Sequence, residues 1–155
     1  MTKKKQPFKI VASNKKAHHN YTIIETLEAG IALKGNEVKS IRKGLVSLKE
    51  SFARIDNMEI WLQNCHVTPY AEANTFYKID ATRNRKLLLH KKQIEKWMGK
   101  AQEKGLTIIA TKLYIKHNKV KCEIALAKAK KLYDKRDDIK QKDIKRSIQK
   151  EMKRR

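Results

Sequence analysis

Between residues 21 and 126 apolar and polar side chains alternate over several stretches, and a period of two predicts strands. Tyr21–Leu27 is rich in β-branched residues, and Gly30 is expected to mark a bulge or kink before Ile31-Ala32-Leu33. Phe52–Ile55 and Glu59–Leu62 flank Asp56-Asn57-Met58, which reads as a short hairpin connection. Leu106–Lys116 and Lys119–Leu126 flank His117-Asn118, a second hairpin. In the last strand Val120, Cys122, Ile124 and Leu126 share one face, while Lys121 and Glu123 face outward.

The period changes twice. Ile94, Trp97, Met98 and Ala101 fall at i, i+3, i+4 and i+7, which predicts a helix over about 91–104 with Gly105 as its C-terminal stop. A shorter helix is expected over Glu37–Lys43, with Val38 and Ile41 inward and Gly44 ending it. Several short antiparallel strands with a few added α-helices predict a mainly β domain. The expected form is an antiparallel OB-like β-barrel, whose loops and open face suit oligonucleotides.

Composition divides the 155 residues into three zones. Residues 1–8 are polar, lysine-rich and carry Pro7, and read as a mobile basic leader. Residues 9–127 form the barrel. Residues 128–155 are a basic tail with 13 Lys/Arg and 5 Asp/Glu, and Tyr133 is its sole aromatic.

Charge then points to a partner. The net charge is +22, from 38 Lys+Arg against 16 Asp+Glu, and such an excess repels itself unless a polyanion cancels it. Nucleic acid is the polyanion expected, since neutralising phosphates releases counterions. An anionic membrane surface is the competitor, but no helix pairs a basic face with a Trp/Phe/Leu face. No apolar run approaches membrane-spanning length, and the first residues lack the apolar core of a secretory signal. Cys65 and Cys122 sit inside strand patterns and suit reduced thiols used as small fillers. A cytoplasmic protein is expected.

Enzyme chemistry finds little support. The glycines at 30, 35, 44, 99 and 105 are scattered and make no phosphate loop. Cys65 and His66 are strand neighbours that point to opposite faces and cannot share a metal. His18-His19 lacks further ligands at metal spacing, and the carboxylates are too dispersed for a metal-dependent nuclease. No catalytic residue, metal or cofactor is expected.

Two basic stretches are better candidates. Asn14-Lys15-Lys16-Ala17-His18-His19-Asn20-Tyr21 combines cations for phosphates with rings that stack on an unstacked base. A solvated loop with Tyr21 in the core is the competing reading. Arg83-Asn84-Arg85-Lys86 precedes the apolar anchor Leu87-Leu88-Leu89 and reads as a basic surface loop, or simply as a solvated charge run. Glu28, in so basic a chain, is expected either in a salt bridge or accepting from a ribose hydroxyl or base amine. Physics alone favours the salt bridge.

Five strings in one order resemble the small protein B family along nearly the whole chain. They are Asn14–Tyr21, Glu28-Ala-Gly-Ile-Ala-Leu33, Gly35-Asn-Glu-Val-Lys-Ser-Ile-Arg42, Arg83-Asn-Arg-Lys-Leu-Leu-Leu-His90 and Ile124-Ala-Leu-Ala-Lys-Ala-Lys-Lys-Leu-Tyr-Asp-Lys-Arg136. The resemblance implies an OB-like barrel that binds the transfer-RNA-like domain of transfer-messenger RNA. Its family escorts that RNA to stalled ribosomes for trans-translation, as a surrogate for the missing codon–anticodon pair. By the same resemblance the RNA-facing surface comprises Asn14, His19, Tyr21, Glu28, Arg83, Lys86, Leu88 and His90. The cations of the same strings, Lys15, Lys16, Lys39, Arg42, Arg85, Lys128, Lys130 and Lys131, complete the expected set.

Tyr133-Asp134-Lys135-Arg136 resembles the start of the family's ribosome-directed tail, which engages the decoding region of the small subunit. Ile144, Ile148 and Met152 follow at i, i+4 and i+8, a thin apolar line in a charged segment. With few apolar residues and costly nucleation below about 12–15 residues, the tail is expected disordered when free and helical on the ribosome. Two positions depart from the family pattern: Ala81 replaces a usual Pro, and Ala129 a common Gly. If position 129 needs φ > 0, Ala costs about 1 kcal/mol there. The expected protein is a monomeric adaptor; a ribosomal protein holding ribosomal RNA is the alternative.

Overall fold

The computed structural model describes residues 8–70 and 80–154. The expected leader lies, apart from Phe8, outside the described residues. In chain order the elements are β1 (Phe8–Ser13), α1 (Lys15–Asn20), β2 (Tyr21–Ile31), α2 (Gly35–Arg42), β3 (Val46–Ser47), β4 (Phe52–Asp56) and β5 (Glu59–Gln63). They continue with β6 (His66–Val67), β7 (Arg85–Leu88), α3 (Lys91–Lys104), β8 (Thr107–Lys116), β9 (Lys119–Ala129) and α4 (Leu132–Arg154). The architecture is mainly antiparallel β with helices added.

The principal ladder runs β1-β8-β4-β5-β7-β2-β9, and β8 also pairs with β9, so the pairings return on themselves. The short strands β3 and β6 pair separately. Both expected hairpins form. Their two-residue turns hold consecutive positive φ values, 48° and 60° at Asn57-Met58 and 51° and 60° at His117-Asn118. Such mirror-image turns match the right-handed twist of the flanking strands.

The apolar faces meet inside this ring. Leu62, Leu113, Ile124 and Leu126 are fully buried, with Ile60, Leu87 and Ile41 packed in the same cluster. α3 covers the cluster as its stripe predicts, burying Ile94 and Trp97, while Ala101 is partly buried against it. Gly105, in the left-handed region at φ 59°, ends α3 and lets Leu106 N–H reach the Ala101 carbonyl at 3.1 Å. Cys65 and Cys122 are buried thiols; burial pushes the first up to about 11 and raises the second as well, so both act as fillers.

The structure corrects several expectations. Gly30 interrupts nothing: β2 continues through it to Ile31, and the extra residue sits instead between Ile23 and Glu25. Gly30 pairs with Leu88 on one side and Lys121 on the other, and a Cβ there would lie 3.1 Å from Leu88 Cβ. A side chain there would push Leu88 aside by a few tenths of an ångström, so glycine eases the close approach of β7. The stretch after Asn14 is not the solvated loop of the competing reading but forms α1, whose N-cap is the Asn14 side chain accepting from Ala17 N–H. α2 starts at Gly35 and turns Glu37, Ser40 and Ile41 inward, leaving Val38 only partly buried.

Ala129 lies within β9 opposite Tyr21, so its position demands no left-handed backbone. The composition boundary after residue 127 thus falls inside a strand. The tail differs most. It is a 23-residue helix with no buried side chain, longer than the limit below which nucleation dominates.

Trp97→Ala empties the space between α3 and the ladder, and truncating a buried Trp costs about 3–5 kcal/mol. The expected outcome is little folded protein by near-ultraviolet circular dichroism. An unchanged melting temperature would place α3 outside the core.

Candidate nucleic-acid interface

β2 carries one candidate cluster at each end. Tyr21 and Glu28 are seven residues apart, about 23 Å at the rise of a strand.

At the Tyr21 end the polar groups are largely spent within the protein. Asn14 is buried; its Nδ2 donates to the carbonyls of Leu48 at 2.9 Å and Ala110 at 3.0 Å. With its Oδ1 on Ala17, it organises α1 and has no surface to offer a ligand. Tyr21 is half-buried against the small cluster of Ala17, Ile109, Ala125 and Ala127. Lys15 is exposed, Lys16 pairs with Glu50 at 2.7 Å, and His19 is half-buried. Lys130 reaches the His18 carbonyl at 3.3 Å and pairs with Asp138 of α4. His18, Tyr21, Thr22, Ile23, Lys130, Asp134 and Asp138 line a cleft of about 480 Å³. Lys128 and Lys131 lie exposed beside it in sequence.

At the Glu28 end the structure opens a groove of about 700 Å³. It brings Glu28 of β2 beside Lys86 and Leu88 of β7 and His90 ahead of α3, a stretch more than 50 residues further along the chain. Leu88 is 53 % exposed, an apolar side chain held at the rim by pairing of its own backbone with Gly30. Lys91 and Lys121 also line the groove and were missed in the sequence. The outward face assigned to Lys121 was the available signal; its register opposite Gly30 was not.

Glu28 accepts from the Tyr114 hydroxyl and from Lys116 Nζ at 3.3 Å, so the salt-bridge reading describes its contacts within the chain. The Tyr114 hydrogen bond, aided by Lys116, holds its carboxyl below the ordinary range despite partial burial. Lys86 is paired with Glu59 at 2.7 Å. The groove therefore presents fixed acceptors beside cations and an apolar rim.

The Arg83–Lys86 stretch corrects the expected basic loop. Arg85 is fully buried and cannot face RNA. Its guanidinium bonds Glu37 at 3.1 Å and the carbonyls of Cys65, Arg83 and Ala81 at 2.7, 3.2 and 3.1 Å. Arg83 is partly exposed and grips the same carboxylate through Nε at 2.7 Å and Nη2 at 2.6 Å. Burial opposes ionisation of Glu37. The Arg83 hydrogen bonds, the Lys34 N–H and the Arg85 charge outweigh it and hold the carboxyl below its ordinary value. Ala81, in place of the usual Pro, has its carbonyl taken by Arg85 and by Val67 N–H at 2.9 Å. Composition could not reveal Glu37, because its partners lie 46 and 48 residues away.

The remaining expected residues lie elsewhere. Lys39 sits 5.5 Å from the Tyr70 ring centre, with Lys43 at 4.6 Å, and Arg42 donates to the Asn118 carbonyl at 3.3 Å. Along α4, Tyr133, Ile144, Ile148 and Met152 are exposed, Arg136 is exposed, and Asp134 and Lys135 are half-buried. Among the described residues no three His, Cys, Asp or Glu side chains group as metal ligands, and no helix is long and apolar enough to cross a membrane.

A family model described as SmpB protein matches residues 11–154. The chain belongs to the SmpB family. It is similar to the SsrA-binding protein of Persephonella marina (strain DSM 14350 / EX-H1), 59 % identical over 145 residues, covering 94 % of this chain and 95 % of that one. The SsrA-binding protein of Caldicellulosiruptor bescii is 53 % identical over 150 residues, covering 97 % and 94 %. A solved structure described as "tmRNA-SmpB: a journey to the center of the bacterial ribosome" matches with a TM-score of 0.64 and 45 % identity, over 77 % of this chain and 84 % of that one.

In this SmpB-family chain Glu37 should govern acid stability. Its carboxyl is lowered in the folded state, so its contribution is complete above the unfolded carboxylate value and is lost as pH falls through the lowered one. Melting temperatures taken from pH 7 down to 2 should fall through that window. Glu37→Ala, which strands two guanidiniums, should cost about 3–5 kcal/mol at neutral pH. A variant as stable as wild type at pH 7 contradicts the buried network.

Proposed function

We propose that this chain binds the transfer-RNA-like domain of transfer-messenger RNA and delivers it to stalled ribosomes for trans-translation. It acts as a cytoplasmic, non-enzymatic adaptor. The observation that carries this reading is the groove joining Glu28, Lys86, Leu88 and His90, the residues the family resemblance assigns to RNA. The names of the relatives and of the solved structure point the same way.

The chemistry follows from the groove. Leu88 and His90 offer an apolar edge and a ring to an unstacked base, and Glu28 accepts from a 2′-hydroxyl or a base amine. Lys86, Lys91 and Lys121 neutralise the neighbouring phosphates. At the other end of β2, Lys15, His19, Lys128, Lys130 and Lys131 extend the basic track along α1. The ring of strand pairings serves as an OB-like barrel that holds both ends at fixed separation. Residues 128–155 then act as a second unit. α4 enters the empty messenger channel beyond the decoding site, with one face neutralised by ribosomal RNA and Ile144, Ile148 and Met152 packed on the other.

Purification of the tagged protein with sequencing of bound RNA should enrich transfer-messenger RNA. Ribosomal RNA in intact subunits without that transcript would favour a ribosomal protein. Glu28→Ala should weaken binding with little change in the slope of log affinity against log salt, because a carboxylate releases no counterion. Wild-type binding by this variant would remove Glu28 from the site.

A chain cut after Lys131 separates the tail from the RNA-binding part. It should bind transfer-messenger RNA almost normally yet fail to support peptide tagging on stalled ribosomes. Strong loss of RNA affinity, or intact tagging, overturns the channel reading. Replacing Ile144, Ile148 and Met152 with Ser at constant charge should also abolish tagging.

A further inference from the structure

One buried carboxylate faces two guanidiniums. Glu37 has 5 % of its side chain exposed, Arg85 1 % and Arg83 27 %. Arg85 is consumed: every nitrogen of its guanidinium bonds Glu37 or a carbonyl. One carboxylate thus meets two cations, so the two guanidiniums together carry one charge more than Glu37 neutralises. Among the described residues the further acid acting on Arg83 is Asp80, whose Oδ1 is already held by the N–H and hydroxyl of Thr82 at 3.0 and 3.2 Å.

A guanidinium has two edges that a planar oxyanion can grip, one formed by Nε and Nη2 and the other by Nη1 and Nη2. Glu37 occupies the first edge of Arg83, at 2.7 and 2.6 Å. Nη1 makes one bond, to the Asn84 carbonyl at 3.2 Å, which uses one of its two hydrogens. Among the described residues Nη1 and Nη2, the two nitrogens of the outer edge, each keep one N–H for a further acceptor, on the one of the two arginines that is partly exposed. Because Arg85 also ties down the Ala81 and Arg83 carbonyls, the backbone carrying this edge is fixed as well. Ordering an arginine on a surface loop usually costs rotamer entropy at the moment of binding. Here folding has already met that cost.

We infer that Glu37 is a positioning residue for RNA binding: it holds Arg83 by its inner edge so that the outer edge is presented, pre-oriented, to one backbone phosphate. The inference rests on the RNA-binding reading above and adds to it a residue that never touches the RNA. It also explains why the basic stretch splits into one buried and one surfacing arginine. Lysine at 83 would supply charge without the second edge.

The test uses the full chain and transcribed transfer-messenger RNA, with melting temperature followed in parallel. Arg83→Met should bind about ten-fold more weakly and flatten the salt slope by about 0.7–0.9, the loss of one phosphate contact. Arg83→Lys should keep the wild-type slope yet recover little of the affinity. Glu37→Asp keeps the charge that Arg85 needs but withdraws the carboxylate by one methylene. It should weaken binding several-fold when Arg83 is present and have no further effect beside Arg83→Met. Wild-type affinity for Arg83→Lys, or additive losses for Glu37→Asp and Arg83→Met, overturns the inference. So does a change confined to melting temperature, which marks a structural staple. Failure of the wild-type chain to bind this RNA would instead overturn the functional reading.

Discussion

β9 is hydrogen-bonded along both edges, to β2 from Tyr21 to Gly30 and to β8 from Thr107 to Lys116. A strand paired on both sides must satisfy its whole backbone inside the ladder, and its side chains must fit whatever lies above and below. From Ile124 to Ala127 all four residues are buried, the larger Ile124 and Leu126 toward the main core and the small Ala125 and Ala127 toward α1. This shared strand pairs with β2 from Tyr21 to Gly30, the stretch that carries one candidate cluster toward each end. The bulge between Ile23 and Glu25 takes up the register change without breaking the ladder.

A chain with 38 cationic side chains must manage its own repulsion, and it does so with a few well-placed acids. Glu25 meets Lys96 and Lys100 of α3, Glu123 meets Lys112, Glu59 meets Lys86, and Glu28 meets Lys116. These pairs are partly exposed and each contributes little to stability. Of these pairs, Glu59–Lys86 fixes a cation in the groove itself. Glu37 is different, because two arginines depend on it and removal of water makes the interaction strong.

α4 obeys another logic. It buries none of its own side chains, and the Lys130–Asp138 pair ties its second turn to the strand it follows. Beyond that point its helix stands on length and local bonding. Its apolar line of Ile144, Ile148 and Met152 is exposed.

The sequence by itself determined the two hairpin strand pairs and their turns, the α3 stripe of Ile94 and Trp97 and the polyanion-seeking charge. These rest on local periodicity, turn chemistry and composition, all carried by neighbouring residues. The family strings located the groove residues Glu28, Lys86, Leu88 and His90, though nothing local could show that they share one groove. Tertiary structure alone decided that Glu37 rather than Val38 turns inward, that Arg85 is buried while Arg83 surfaces, that the Asn14 amide is spent on the Leu48 and Ala110 carbonyls, and that Gly30 serves Leu88 rather than a bulge. In each case the deciding partner lies at least 30 residues away, or on another strand. Burying a polar or charged group is tolerated only where such a partner meets it, and periodicity contains no record of which distant groups will meet.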